Sequence, residues 1–228
     1  METPSVRTLT LSVPDWAGHA AGQYVDVARV TPGGYRPARS YSIASPPENG
    51  GRLEITVELI PGGDVSPYLV NDVRPGDPID LRGPLGADFT WSETQGGPLL
   101  LVAGGSGVAP LWAMLRHRAR QRSTIPIRLL YSSHRYEDII YRDALERIAL
   151  DDSNLRISYT LTQEQPAQWI GYRRRIDSAM LREVAWPASV NPLAYLAGPT
   201  SFVGSAVSGL LQLGYDLERI HTEWFSPT

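Results

Sequence analysis

Apolar residues Leu53, Ile55, Val57 and Leu59 alternate with Glu54, Thr56 and Glu58. A period of two marks a strand with one buried face. The same alternation runs through residues 6–13 and stops at Pro14-Asp15, and strand character recurs at 24–30, 39–44 and 79–82. Turn chemistry separates these runs at Thr31-Pro-Gly-Gly34, Pro46-Pro47, Pro61-Gly-Gly63 and Pro75-Gly-Asp77. Residues 66–71 read as a short helix. Short strands punctuated by Gly and Pro predict a small antiparallel barrel.

The pattern changes between Thr90 and Pro98. Residues 92–97 are polar and read as a linker, dividing the chain into domains 1–96 and 97–228. Beyond it, strand-like runs at 99–103, 125–132, 155–161, 193–197 and 220–225 alternate with helical periodicity at 109–120, 137–148, 176–183 and 202–213. That succession predicts an α/β domain with a parallel sheet. Its first run, Leu99-Leu-Leu-Val-Ala103, has no alternation, as expected of a strand buried on both faces. Gly104, Gly105 and Gly107 follow, and Pro110 sits where a helix tolerates it, in the first turn. Strand, glycine turn and helix N-terminus together form an anion site suited to a dinucleotide pyrophosphate. The alternative is a tight connection that binds nothing. Pro110 occupies the last position of G-x-G-x-x-G, so the ordinary Rossmann fingerprint is absent.

Composition narrows the function classes. The 228 residues carry a formal net charge of -3, which gives no reason to expect nucleic acid. All 21 basic residues are Arg, so phosphate binding falls to guanidinium groups, main-chain N–H groups and hydroxyls. The absence of Cys excludes disulfides, thiolate catalysis and cysteine-ligated iron–sulfur clusters. His19, His117, His134 and His221 are scattered without metal-ligand spacing, so no metal site is expected. No apolar run reaches the roughly 18 residues of a membrane span. No basic segment followed by an apolar one opens the chain, and the expected compartment is the cytoplasm.

Candidate chemistry begins at Arg39-Ser-Tyr-Ser42. Arg39 can pair with a phosphate, the Tyr41 ring can lie against a flat heterocycle, and the Ser42 hydroxyl can bond a ring nitrogen. This segment resembles the R-x-Y-S/T flavin motif of the ferredoxin–NADP⁺ reductase family, in its compact form without an iron–sulfur domain. The G-x-x-S/T motif of that family matches Gly63-Asp-Val-Ser66, and its G-x-G-x-x-P nucleotide motif matches Gly105-Ser-Gly-Val-Ala-Pro110. Arg82-Gly-Pro-Leu-Gly86 resembles the close of the family's flavin barrel. The resemblance implies a Greek-key barrel holding FAD through Arg39, Tyr41, Ser42, Gly63, Val65 and Ser66. It also implies a second domain holding NADP or NAD through Gly105, Ser106, Gly107, Pro110, Ser132, Arg135, Gly198 and Pro199.

Arg135 carries an expected modest preference for NADPH, because no acid closes the strand before it to hold a ribose diol. Two departures qualify the match. Relatives place Thr-Arg where this chain has Thr162-Gln163, with Arg173, Arg174 and Arg175 downstream as possible substitutes. Their C-G-P motif reads Ala197-Gly-Pro199 here, which removes a sulfur beside the nicotinamide but no covalent step. At the C-terminus Thr222-Glu-Trp-Phe225 resembles the family's last strand, with Phe225 as ring cover and Glu223 as site carboxylate; these and Ser42 are the candidate catalytic residues. The implied activity passes electrons from NAD(P)H through FAD to a separate ferredoxin, flavodoxin or oxygenase component. A free-flavin reductase, and a flavin-bound redox sensor or assembly partner without turnover, are the alternatives.

Overall fold

The structure, a computed structural model, is described for residues 1–31 and 33–225. Pro32, inside the predicted 31–34 turn, and the terminal residues 226–228 lie outside the described residues. The first half has strands β1 (Val6–Ser12), β2 (Tyr24–Ala28), β3 (Ala38–Ser42), β4 (Arg52–Glu58) and β5 (Asp80–Leu85). β1 pairs antiparallel with β4, and β2 lies between β3 and β5. A bridge between Ile43 and Ile55 joins the two sheets, giving the strand order 1-4-3-2-5 of an open Greek-key barrel. The alternating residues Leu53, Ile55 and Val57 all point into its core with Val25, Val27 and Ile43. The 66–71 segment closes as a π-type turn at Tyr68–Asp72 whose Leu69 and Val70 plug that core.

The second half is one parallel sheet in the order β10-β9-β6-β7-β8, built from β6 (Leu99–Gly104), β7 (Ile127–Ser133), β8 (Leu155–Leu161), β9 (Leu193–Pro199) and β10 (Ile220–Phe225). Every residue of β6 is buried. Leu99, Leu101 and Ala103 pack on the face covered by α1 (Val108–Arg120) and α2 (Arg142–Asp151). Leu100 and Val102 pack on the opposite face under α3 (Ser178–Val184) and α4 (Thr200–Gln212). From β6 the chain builds outward through β7 and β8, then returns to place β9 on the other side of β6. The switch point of the topology therefore lies between β6 and β9, where open α/β sheets bind ligands at their strand ends.

The expected 137–148 helix is corrected. A 3-10 turn covers Tyr136–Asp138, Tyr141 takes a left-handed conformation with φ 58°, and α2 starts only at Arg142. Ile139, Ile140 and Tyr141 are all buried in succession, which one face of a helix cannot achieve.

The 92–97 segment is anchored on both sides. Ser92 and Gln95 form a capping box, and Trp91 beside them is 1% exposed. Phe89 and Trp91 share a core cluster with Val6, Ala21 and Ala44 from the barrel and with Leu111, Trp112 and Met114 of α1. Arg116 pairs with Glu54, Tyr141 Oη meets Thr56 Oγ1, and Tyr195 Oη donates to the Thr90 carbonyl at 2.9 Å. No helix among the described residues is long and apolar enough to cross a membrane.

Candidate functional site

The glycine turn sits at the switch point. Gly105–Gly107 form a 3-10 turn that leads directly into α1. The glycines divide between two tasks. A Cβ on Gly107 would fall inside the contact radius of the Ala197 carbonyl oxygen, and one on Gly198 would lie 2.9 Å from the Gly104 carbonyl oxygen. These two pack the close junction of β6 with β9, and Pro110 is buried in the first turn of α1. Gly105 has φ +55° with open space where a Cβ would be, so it and half-buried Ser106 face the crevice.

The difference is measurable. Gly105→Ala is expected to cost about 1 kcal/mol, the strain of a left-handed alanine. Gly107→Ala should cost about 3 kcal/mol or more, because backbone must shift. Urea melts of both variants check the order; equal losses would contradict the packing role.

Arg39 and Tyr41 share one face of β3. Arg39 is 35% exposed, with Nη1 donating to the Ala38 carbonyl at 2.8 Å and Nη2 3.4 Å from Asp64 Oδ2. The guanidinium thereby spans the strand and the loop that carries Gly63. Burial pushes the Tyr41 hydroxyl up to about 12, so it stays protonated. Within the loop the Ser66 hydroxyl accepts from the Ile60 N–H at 3.0 Å and keeps its own hydrogen to donate. The N–H groups of Asp64, Val65 and Ser66 have no partner among the described residues. The Val65 side chain is 0% exposed in the barrel core, so only its main chain is available to a ligand.

Ser42, on the other face of β3, reaches the second half. Its hydroxyl donates to Glu223 Oε1 at 3.1 Å, across 181 residues of sequence. Glu223 Oε2 is buried with no partner among the described residues, and burial pushes this carboxyl up to about 7 against the weaker opposing pull of the Ser42 hydrogen bond. Glu223 lies opposite Ala197 in the β9–β10 register, and Phe225 lies opposite Pro199. Two residues apart on β10, Glu223 and Phe225 share the strand face that meets the barrel. Trp224, on the reverse face, is the strand's exposed aromatic and lies toward Gly204 of α4.

At the ends of β7 and β8, Ser132 and Ser133 are buried. Arg135 is exposed but engaged. Its Nε lies 3.6 Å from Glu164 Oε2 and its Nη1 3.9 Å from Glu137 Oε1. Of the downstream arginines, Arg173 Nη2 donates to the Trp169 carbonyl at 2.8 Å, and Arg174 pairs with Asp177 at 2.7 Å. Glu164 is a neighbour of Arg135 that sequence reasoning did not place there. Its signal was slight: it follows Thr162-Gln163, where the expected Arg is absent.

The family model described as the oxidoreductase FAD-binding domain matches residues 2–90, and that of the oxidoreductase NAD-binding domain matches residues 101–208. Ferredoxin–NADP reductase B of Sorangium cellulosum (strain So ce56) is 33% identical over 230 residues, covering 97% of this chain and 92% of that protein. The glycine betaine monooxygenase reductase subunit of Pseudomonas aeruginosa (strain UCBPP-PA14) is 32% identical over 192 residues, covering 83% of this chain and 52% of that protein. The chain thus spans about half the length of the latter type of relative. Among solved structures, the flavohem-like FAD/NAD-binding domain of nitric oxide dioxygenase from Vibrio cholerae O1 biovar El Tor has a TM-score of 0.88 at 28% identity, covering 100% of this chain and 95% of that one.

Proposed function

The chain belongs to the ferredoxin–NADP reductase family, and from that premise we propose that it is an NAD(P)H-dependent FAD reductase serving a separate protein acceptor. The observation that carries this reading is the contact between Ser42 of the barrel and Glu223 of the last strand, at the crevice where the two halves meet. We assign residues 1–96 to the flavin and 97–228 to the pyridine nucleotide.

The residues present fit both groups. Arg39, the unpartnered N–H groups of 64–66 and the spare hydrogen of Ser66 suit a diphosphate. Tyr41 offers a ring beside them. Gly105 and Ser106 leave open space before the α1 N-terminus for a second pyrophosphate. Bound FAD supplies a hydride acceptor that can pass electrons on singly. The protein's own part is binding, alignment and proton control. The Ser42 hydroxyl is fixed by Glu223, and Glu223 Oε2 holds or releases a proton near neutrality because its shift puts both forms within reach. Ala197 presents only a methyl group at the position opposite Glu223, so alignment there rests on shape, not on a sulfur contact. The Phe225 ring, two residues further along the same strand face, would cover the nicotinamide-facing side of the flavin and would have to move before a nicotinamide could stack there.

The acceptor is a ferredoxin, a flavodoxin or an oxygenase component, and the cytoplasm is the compartment. The relatives support this choice of acceptor: one is named as a ferredoxin–NADP reductase and another as the reductase subunit of a monooxygenase. Anaerobic mixing of the purified yellow protein with NADH or NADPH tests the reading. Bleaching of the flavin band within seconds is expected. Flavin that stays oxidised for many minutes with both nucleotides would defeat the enzyme reading and favour a flavin-bound sensor.

A further inference from the structure

We propose that Tyr141 and Thr56 are positioning residues for hydride transfer: their contact across the seam sets where α1, and a nucleotide at its N-terminus, stands relative to the flavin strand. The inference rests on the proposed reductase reading.

Glu54, Thr56 and Glu58 form the outer face of β4, alternating with its core residues. Such a pattern ordinarily leaves the polar set to water. Thr56 is instead 5% exposed. Two residues of this face have partners in the nucleotide half, Glu54 with Arg116 of α1 and Thr56 with Tyr141. A strand that reads as half-buried is therefore covered on its second face as well, by polar contacts.

The spacing makes these contacts a ladder. Trp112 and Arg116 are four apart and share one face of α1, about 6 Å apart along its axis. Glu54 and Thr56 are two apart on β4, about 7 Å along the strand. Arg116 pairs with Glu54 directly and donates to the Ala44 carbonyl at 3.3 Å. Trp112 is joined to Thr56 through Tyr141, whose ring stacks on the indole with centroids 5.2 Å apart and whose hydroxyl meets Thr56 Oγ1. Thr8, opposite Thr56 in the β1–β4 register, extends this rung with its Oγ1 2.9 Å from that of Thr56.

Tyr141 is held in place against its own backbone preference. A bulky residue with positive φ is an outlier, and Tyr141 has φ 58°. The chain is fastened on either side of it. The Ile140 N–H donates to Tyr131 Oη at 3.1 Å, and the Leu145 N–H donates to the Tyr141 carbonyl at 2.8 Å.

Both rails of the ladder lead to the site. α1 leaves the glycine turn at Val108, one helical turn before Trp112. β4 is bonded to the residues that follow Ser42: Ile43 bridges Ile55, and the Ala44 N–H donates to the Glu54 carbonyl at 2.7 Å. A slip of the ladder therefore moves the glycine turn against Ser42 without altering either. Misplacement near 1 Å can cost about a hundredfold in rate.

Tyr141→Phe keeps the ring and removes the hydroxyl, and Thr56→Val removes the other partner at nearly constant shape. Each should slow the limiting rate of anaerobic flavin reduction about tenfold, while flavin content and the Kd for NAD⁺ and NADP⁺ stay within about twofold. Thr56→Ser retains the hydroxyl and should recover most of that rate. The double variant should be no slower than either single one, as expected of one shared contact. Position can be read apart from turnover. The chain has no Cys, so nitroxide labels at Thr10→Cys on β1 and Leu150→Cys on α2, both exposed, report the spacing of the halves by pulsed electron resonance. A narrow distance distribution is expected, broadened by Tyr141→Phe. Variants that melt as folded proteins but reduce flavin at the wild-type rate overturn the inference and leave the reductase reading standing. So does a label distance unmoved by Tyr141→Phe, or a rate loss matched by an equal loss of nucleotide affinity. Wild-type flavin that neither NADH nor NADPH bleaches overturns that reading itself and this inference with it.

Discussion

Arg39→Ala is expected to purify largely without flavin. The guanidinium sits between the β3 main chain and Asp64 of the 63–66 loop, so its fork is already oriented where the loop offers three unpartnered N–H groups. A charge-assisted contact contributes about 1.5–3 kcal/mol, and a bidentate phosphate pair lies at the upper end. Losing about 3 kcal/mol weakens binding by roughly 150-fold. The ratio of flavin to protein absorbance after desalting reads this directly, and titration with FAD gives the lost affinity. Arg39→Lys keeps the charge but not the fork, so an intermediate flavin content is expected. Full flavin retention in Arg39→Ala would mean that the diphosphate lies elsewhere on the barrel.

Glu223→Gln is expected to remove a pH dependence near neutrality from both folding and reduction. Burial raises the carboxyl from 4.5 to about 7, so the folded protein prefers the neutral acid. The sign follows from linkage: no penalty exists below the unfolded value, it grows as pH rises between the two values, and it is complete above the folded one. At about 1.4 kcal/mol per unit the penalty at pH 8 comes to about 3 kcal/mol. The Gln variant should therefore be more stable than wild type by about that amount at pH 8, and equal to it near pH 4. Urea melts at the two pH values read the difference. In anaerobic stopped flow, wild-type flavin reduction should show an inflection near pH 7. The variant keeps an oxygen for the Ser42 hydroxyl but has no proton to exchange, so its profile should be flat. An inflection that survives the substitution would assign the proton to another group.

What the sequence made legible follows from how local each feature is. The alternation in β4 and the unbroken apolar run of β6 depend on a strand's own faces, and both appear in the structure close to the predicted bounds. The glycine turn was legible as a turn. Its division of labour was not, because the Gly107 and Gly198 neighbours come from β9 and β6, about ninety residues away in sequence. The break at Tyr141 was hidden for a similar reason. The Tyr141 ring stacks on Trp112 at 5.2 Å and its hydroxyl meets Thr56, so tertiary contacts override an apparently helical run. Among the candidate residues, Arg39, Tyr41 and the 63–66 loop gather on one side of the barrel, and Ser42 with Glu223 gathers at the seam. Arg135 could be named from sequence, but its two acidic neighbours could not be weighed until the loop after β8 was seen to lie against it.

The core shared across the seam makes the two halves one folding unit. Phe89 and Trp91 of the connecting segment, Val6 and Ala44 of the barrel, and Leu111 and Met114 of α1 exclude water together. Arg116 and Glu54, each with 23% of its side chain exposed, close the edge of that cluster. Either half expressed alone would bare this apolar surface, and a chimera that exchanges one half for a relative's must carry its facing residues along. Substitutions that tune the nucleotide half are therefore filtered through the barrel. The spacing between the two proposed ligand sites is inherited as a property of the pair.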